Sequence, residues 1–317
     1  MDTYLKYSTY LREKYGEKVY KLPIQLPVTC PNRDGTCGSG GCTFCGDIGT
    51  GFEMYEATES IAEQLQKNKD YMGKRYKARL FIAYFQNYSN TYMSLEAFSQ
   101  VIETIRDKDI VEIAVSTRPD CIHPAYLEIL KAWAIKHQKE ICIELGLQTI
   151  NYHTLKKINR GHGLAEYLDA ILMIKSYGFK VCTHVILNLP WDTEQDTIET
   201  AKCLSVLQSD YVKLHALYLI KGTPLAKAYE KGNFEMLSLE GYKERVKLFL
   251  RYLNPQIVVQ RLIGRAPEEV TIFANWDTSW WKIHDDLVAE MQESGQKQGD
   301  LYNYRQGKAV RRWTESS

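Results

Sequence analysis

Four of the eight cysteines fall between residues 30 and 45, in the run Cys30-Pro-Asn-Arg-Asp-Gly-Thr-Cys37-Gly-Ser-Gly-Gly-Cys42-Thr-Phe-Cys45. Thiolates this close in a reducing compartment hold a metal or a cluster more readily than a disulfide. Three chemistries compete for them. A structural zinc site would use all four sulfurs, with Cys42 and Cys45 as a C-x2-C half-site. A redox dithiol at Cys42/Cys45 is disfavoured, because the pair does not open a helix directly after a strand. An iron–sulfur cluster held by Cys30, Cys42 and Cys45 would leave one iron open to a chelating small molecule, with Cys37 a bystander. Phe44, between the last two cysteines, would shield a cluster and could pack on an adenine.

The elements that must position this loop are legible as apolar β-rich runs alternating with helical patterns. Strands are expected at Lys18–Leu26, Arg79–Phe85, Val111–Thr117, Glu140–Thr149, Lys180–Pro190 and Asp210–Leu219. Helices are expected near Ser60–Tyr71, Ser94–Arg106, Pro124–His137, Gly163–Tyr177 and Thr193–Leu207, the first opened by a Ser60/Glu63 capping box. Six such units predict a parallel α/β sheet, either an incomplete barrel or an open doubly wound sheet, with ligands at the C-terminal strand ends. The cysteine loop leaves the first strand at that end. Past about Gly222 the pattern turns mostly helical (Pro224–Glu230, Leu239–Tyr252, a helix near Ile283–Glu293), with a short strand at Gln256–Leu262. We expect a core over residues 1–222, an extension over 223–317 packed on it, and a polar tail from about 294.

At 317 residues, 44% hydrophobic and 25% charged, the composition is that of an ordinary globular enzyme, and a net charge of +1 gives no global field for polyanions. Met1–Tyr20 lacks the apolar core of a signal peptide, and no apolar stretch approaches the roughly 20 residues of a membrane span. A cytoplasmic location with reduced thiols, and no membrane partner, is the expectation.

The cysteine run resembles the cluster loop of the radical S-adenosylmethionine (radical SAM) superfamily, whose three-cysteine motif ends C-x-aromatic-C. The likeness extends in order to Tyr84-Phe85-Gln86-Asn87-Tyr88-Ser89-Asn90-Thr91, Ser116-Thr117-Arg118-Pro119-Asp120, Ile143-Glu144-Leu145-Gly146-Leu147-Gln148-Thr149, Asn159-Arg160-Gly161-His162-Gly163, His184-Val185-Ile186-Leu187-Asn188-Leu189-Pro190 and Lys213-Leu214-His215. The ordered set resembles the branch related to the Elongator catalytic subunit, and within it the small bacterial single-domain group typified by YtqA/MnmL and YhcC. It covers about Tyr4 to Leu262.

The resemblance implies a (βα)6 partial TIM barrel with a mostly helical C-terminal extension. It implies a [4Fe–4S] cluster on Cys30, Cys42 and Cys45, and S-adenosyl-L-methionine chelated to the open iron. Gln86 and Asn87 would hold the SAM amino group. Arg118 would meet its carboxylate, or else pair with Asp120. A lone carboxylate in an apolar strand needs a partner, so Glu144 is expected at the SAM ribose or in a structural ion pair. Strand alternation puts Gln148 on the face of Glu144, and puts Lys213 and His215 together as candidate catalytic residues. His184 is expected to be structural, and Cys121, Cys142, Cys182 and Cys203 are assigned no chemistry.

The resemblance further implies a one-electron donor such as flavodoxin or ferredoxin, and a tRNA substrate. The reaction would convert the 5-carboxymethylaminomethyl group of a wobble uridine to aminomethyl. Radical SAM action on a small metabolite and a non-catalytic zinc-dependent RNA-binding protein are the alternatives. Basic runs at Lys67, Lys69, Lys74, Arg75, Lys77 and Arg79, and at Lys156, Lys157, Arg160 and His162, would serve RNA. So would the interleaved Tyr302, Tyr304, Arg305, Lys308, Arg311, Arg312 and Trp313. Trp191 and Arg265 depart from the branch's pattern, where a glycine and an acidic residue are usual, and are expected to line a different pocket.

Overall fold

The computed structural model describes residues 2–46 and 58–314. Its frame is a seven-stranded parallel sheet. The strands are β1 (Val19–Ile24), β2 (Leu80–Phe85), β3 (Ile110–Thr117), β4 (Glu140–Gln148), β5 (Lys180–Ile186), β6 (Tyr211–His215) and a final strand, β8 (Val258–Arg261). They pair in that order. Crossover helices α2 (Ile61–Tyr76), α3 (Leu95–Glu103), α4 (Pro124–His137), α6 (Leu164–Ser176) and α7 (Glu194–Val206) link the first six, and a short α5 (Tyr152–Lys157) precedes α6. The expected capping box forms: Ser60 Oγ accepts from the Glu63 N–H at 3.3 Å and Glu63 Oε2 from the Ser60 N–H at 2.9 Å.

The sheet is curled into a half-barrel. Lys21 on β1 donates to Gln260 on β8 at 2.8 Å, so the two edge strands meet across the interior. Alternation sorts the side chains. On β4, Ile141, Ile143, Leu145 and Leu147 join the main apolar core, whereas Cys142 lies in a second cluster with Ile82, Tyr84, Ala114, Cys182 and Tyr211. Helix α1 (Tyr7–Tyr15) plugs that interior from below. Leu11 is buried there, and the Tyr7 and Tyr10 rings meet Tyr211 edge-on at 5.3 and 5.7 Å.

The seventh strand comes from beyond residue 222, so the sheet itself runs across that boundary. Helix α9 (Leu239–Tyr252) buries Tyr242, Val246, Phe249 and Leu250 and leads into β8, which pairs with β6 in parallel. It thus acts as one more crossover. The sixth strand stops at His215, short of the expected Leu219. Leu219–Ile220 (β7) pairs instead with Thr271–Phe273 (β9) in a separate antiparallel ribbon, flanked by α8 (Pro224–Glu230). Helix α10 (Trp280–Glu293) packs through Ile283, Leu287 and Met291. Among the described residues no helix is long and apolar enough to cross a membrane.

The segment after α10 is tied to the core by backbone bonds to Thr3, Leu250 and Arg251, by an Arg251–Asp300 ion pair and by the side-chain amide of Gln298. Gln298 Nε2 donates to the carbonyls of Asn254 and Ile257, both at 2.8 Å, and its Oε1 accepts from the Leu5 N–H at 2.9 Å. Gln298→Ala would leave these buried groups unpaired, at roughly 1–3 kcal/mol. Urea unfolding of the variant should show a loss of this size with an unchanged m-value.

Candidate active site

The loop after β1 is pinned to the connection between α5 and α6. Asn32 Nδ2 donates to the Asn159 carbonyl at 2.6 Å, and Asn159 Nδ2 returns to that of Gly41 at 2.8 Å. The Thr43 N–H reaches the Ile158 carbonyl at 2.9 Å. This contact requires glycine at 161: its φ is +79°, and a Cβ there would lie 2.5 Å from Asn32 Oδ1.

The docking puts an arginine against each of three sulfurs. Arg118 Nη1 lies 3.9 Å from Cys30 Sγ, Arg160 Nη1 3.4 Å from Cys42 Sγ, and Arg33 Nη1 3.6 Å from Cys45 Sγ. Asn32 Nδ2 adds a donor 3.7 Å from Cys42 Sγ. All three guanidiniums are themselves held: Arg118 by both oxygens of Asp120 (2.6 and 2.8 Å) and the Arg160 carbonyl, Arg160 by the Gly146 carbonyl at 2.8 Å, and Arg33 by the Gly46 carbonyl at 2.9 Å. Burial pushes the Cys45 thiol up, and the neighbouring Cys42 adds to this. Cys30, Cys42 and Cys45 line one cleft; Cys37 is exposed and outside it.

Among the described residues, Glu144, Cys182 and His184 form the one trio of donors whose ligand atoms all lie within 4.8 Å of one another. The loop cysteines therefore do not gather around a point, as sulfurs about 2.3 Å from a single zinc ion would. Three separated sulfurs, each met by a cationic N–H, fit a polynuclear thiolate cluster, whose potential such hydrogen bonds tune.

The same cleft is lined by Phe44, Gln86, Asn87, Arg118, Glu144, Gln148, Lys213 and His215, so the structure brings every sequence-predicted site residue together. Asn90 shapes the loop after β2 by donating to the carbonyls of Phe85, Asn87 and Ser116. Arg118 displays the second of its two expected roles, the pairing with Asp120.

Glu144 likewise takes an ion-pair role, at the centre of the cleft floor. It binds Lys21, Lys213 Nζ at 3.2 Å and His184 Nε2 at 2.8 Å. Burial alone would raise its pKa; Lys21 and Lys213 hold it well below the usual carboxylate range. Lys213 also donates to the Tyr84 hydroxyl at 2.9 Å, and burial lowers its pKa to about 8 despite Glu144. His184 and His215 stack with centroids 5.1 Å apart, and His215 Nε2 lies 3.3 Å from His184 Nδ1. Arg261 Nη2 sits 2.8 Å from His215 Nδ1. A guanidinium only donates, so His215 Nδ1 accepts. Its Nε2–H then donates to His184 Nδ1, and the Nε2–H of His184 to Glu144. Both rings are neutral in this chain. Burial, followed by Lys213, lowers the His184 pKa to about 4, and burial followed by Arg261 holds that of His215 well below its ordinary value.

Lys21, Arg33 and Arg261 also belong to the site, beyond the residues expected from the sequence. Alternation along β1 (Val19, Lys21, Pro23) was the available signal for Lys21. Arg160 and His162, read as part of a basic surface run, are buried instead: Arg160 turns inward to Cys42, and burial followed by Arg160 itself lowers the His162 pKa to about 3. Lys69 of the other run is paired with Asp107 and Asp109. Neither Trp191 nor Arg265 lines the cleft; Trp191 packs on Phe234 at 5.4 Å within a third apolar cluster.

Comparison with known proteins agrees with this geometry. The profile of the Radical SAM superfamily matches residues 30–204, and that of the Radical_SAM C-terminal domain residues 209–293. YtqA of Bacillus subtilis is 34% identical over 305 residues, covering 95% of this chain and 94% of YtqA. The tRNA uridine(34) acetyltransferase of Methanocaldococcus jannaschii is 26% identical over 268 residues, covering 71% of this chain and 48% of that protein. Among solved structures, archaeal Elp3 of Methanocaldococcus infernus superposes with a TM-score of 0.66 at 16% identity, over 90% of this chain and 67% of that one.

Two outcomes follow from the site. After anaerobic reconstitution Cys42→Ser should lose most bound iron and the broad absorbance near roughly 400 nm that marks thiolate-ligated clusters, while Cys37→Ser should keep both. Glu144→Gln strands the buried Lys213 and the half-buried Lys21 and should cost about 3–5 kcal/mol at neutral pH. Because the folded pKa of Glu144 is depressed, its contribution is full above the unfolded value of about 4.3 and is lost as pH falls through the folded one. Urea titrations at neutral and acid pH should therefore show the gap between wild type and variant closing on the acid side.

Proposed function

The chain belongs to the radical SAM superfamily, and from that premise we propose that it is a tRNA-modifying enzyme acting on the 5-substituent of a wobble uridine. The superfamily uses a [4Fe–4S] cluster and S-adenosyl-L-methionine. When bound, these supply a one-electron cleavage of SAM and a 5′-deoxyadenosyl radical that takes a hydrogen from the substrate. In our reading Cys30, Cys42 and Cys45 are the cluster ligands. The observation that carries this is the set of three sulfur–arginine pairs in one cleft at the C-terminal edge of the half-barrel.

The remaining assignments rest on shared walls. Gln86, Asn87 and Gln148 line the cleft where they would hold SAM, Phe44 would cover its adenine, and the Arg118–Asp120 pair shapes the wall beside Cys30. Residues 1–222 form the core and 223–317 the extension, with β8 of the extension completing the sheet. The reaction proposed is conversion of carboxymethylaminomethyl to aminomethyl, with flavodoxin or ferredoxin as electron donor, in the cytoplasm.

Similarity to a tRNA uridine(34) acetyltransferase over 71% of this chain supports the substrate class. Exposed Lys156 and Lys157 stand beside the cleft loop, and Arg312 lies 4.0 Å over the exposed Trp313 ring, a cation–aromatic surface suited to unpaired bases. The reconstituted protein should release 5′-deoxyadenosine from SAM under reducing anaerobic conditions. Nucleoside mass spectrometry of tRNA from a deletion strain should show the carboxymethylaminomethyl form accumulating and the aminomethyl form missing. Unchanged tRNA nucleosides beside intact SAM cleavage would redirect the substrate to a small metabolite.

A further inference from the structure

Three cations reach the cleft floor, Lys21, Lys213 and Arg261, and a single carboxylate, Glu144, meets two of them. Arg261 has no carboxylate partner among the described residues. Its guanidinium rests on His215, and its Nε is buried with no acceptor. His215 cannot balance that charge, because a ring accepting from a guanidinium is neutral. The charge therefore faces the cleft uncompensated, with a donor to spare, and a buried donor in that state calls for an acceptor.

The position is built. Arg261 ends β8 in register with Lys213 on β6. Gly264 then leaves open the space that the guanidinium fills: a Cβ there would lie 2.8 Å from Cζ, 2.9 Å from Nη2 and 3.0 Å from Nη1. A planar fork laid against bare backbone, one end on an imidazole and the other free, suits a planar oxyanion.

We propose that Arg261 anchors a carboxylate carried by the substrate, an assignment that rests on the radical SAM reading of this cleft and gives the wobble substituent's acid group an address. Chelated to a cluster on Cys30, Cys42 and Cys45, the cofactor's own carboxylate would lie on the side of the cleft walled by Arg33, Arg118 and Arg160. A carboxylate is favoured over a phosphate on geometry: Arg261 offers one planar fork, while the ammonium groups of Lys21 and Lys213 are turned to Glu144.

The test is equilibrium dialysis of the full chain, reconstituted anaerobically and saturated with S-adenosylhomocysteine. The probes are 5-carboxymethylaminomethyluridine, its methyl ester, uridine 5′-monophosphate, N-acetylglycine and N-acetylglycinamide. Wild type should bind the acid nucleoside at least tenfold more tightly than the ester, Arg261→Met should bring the two level, and Arg261→Lys should restore part of the preference. Should Arg261→Met not fold, Gly264→Ala, which displaces the guanidinium, should level them instead. Equal binding of acid and ester by wild type overturns the anchor. So does Arg261-dependent capture of uridine 5′-monophosphate in place of the acid, or mutual exclusion between the acid and S-adenosylhomocysteine. Arg261-dependent binding of N-acetylglycine over its amide, with neither nucleoside bound, keeps the anchor and removes the tRNA reading. Nucleosides that bind without regard to charge keep the tRNA reading and remove the anchor.

Discussion

A carboxylate with no measurable access to water, Glu144, is the constraint on which the barrel turns. Buried charge is tolerated only where partners replace its hydration. Here they come from β1 (Lys21), β5 (His184) and β6 (Lys213), while Glu144 itself sits on β4. Four strands that are not all neighbours must aim side chains at one point, which a flat sheet cannot do. The curl thus has an electrostatic reason beside the apolar one supplied by α1 and the tyrosines beneath it.

Above this floor the cleft changes character. The floor is a closed hydrogen-bonded chain running from arginine through two neutral imidazoles to the carboxylate. The mouth instead carries separate sulfur–arginine pairs whose cations are fixed by Asp120 and by backbone carbonyls. Their charge is therefore in place before anything binds, and little reorganisation is left for the moment of reaction. Tyr84 joins the two levels, since its hydroxyl meets Lys213 from below and accepts from Ser116 at 3.0 Å.

What the sequence disclosed follows from the range over which each signal acts. Strand positions, the Ser60 cap and the cysteine spacing are local patterns; the structure reproduces the cap and the strand centres, while β5 and β6 end four residues before the expected Pro190 and Leu219. The period-two face of β4 was likewise legible, and it carries Glu144, Gly146 and Gln148 to the cleft. The sulfur–arginine pairs were not, because Arg118 and Arg160 lie 88 and 118 residues from their cysteines. Arg160 reads as one member of a basic run after α5, since composition cannot reveal that the turn at Gly161 aims it inward. The Gln256–Leu262 run was visible as a strand, but its place beside β6 depends on an open sheet edge that no local pattern encodes.

The Gln298 clamp has a consequence for the order of assembly. It joins residues 293 positions apart in the chain, and the neighbouring Val259 N–H also bonds the Leu5 carbonyl at 2.8 Å. On the ribosome, the first helix leaves the tunnel long before either mate has been translated. The plug must wait, unseated, until the seventh strand and the segment behind it have emerged. Closing so large a loop is entropically slow. The nascent barrel is therefore open at its base for most of its synthesis, and that interval is when a chaperone would have its apolar tyrosines within reach.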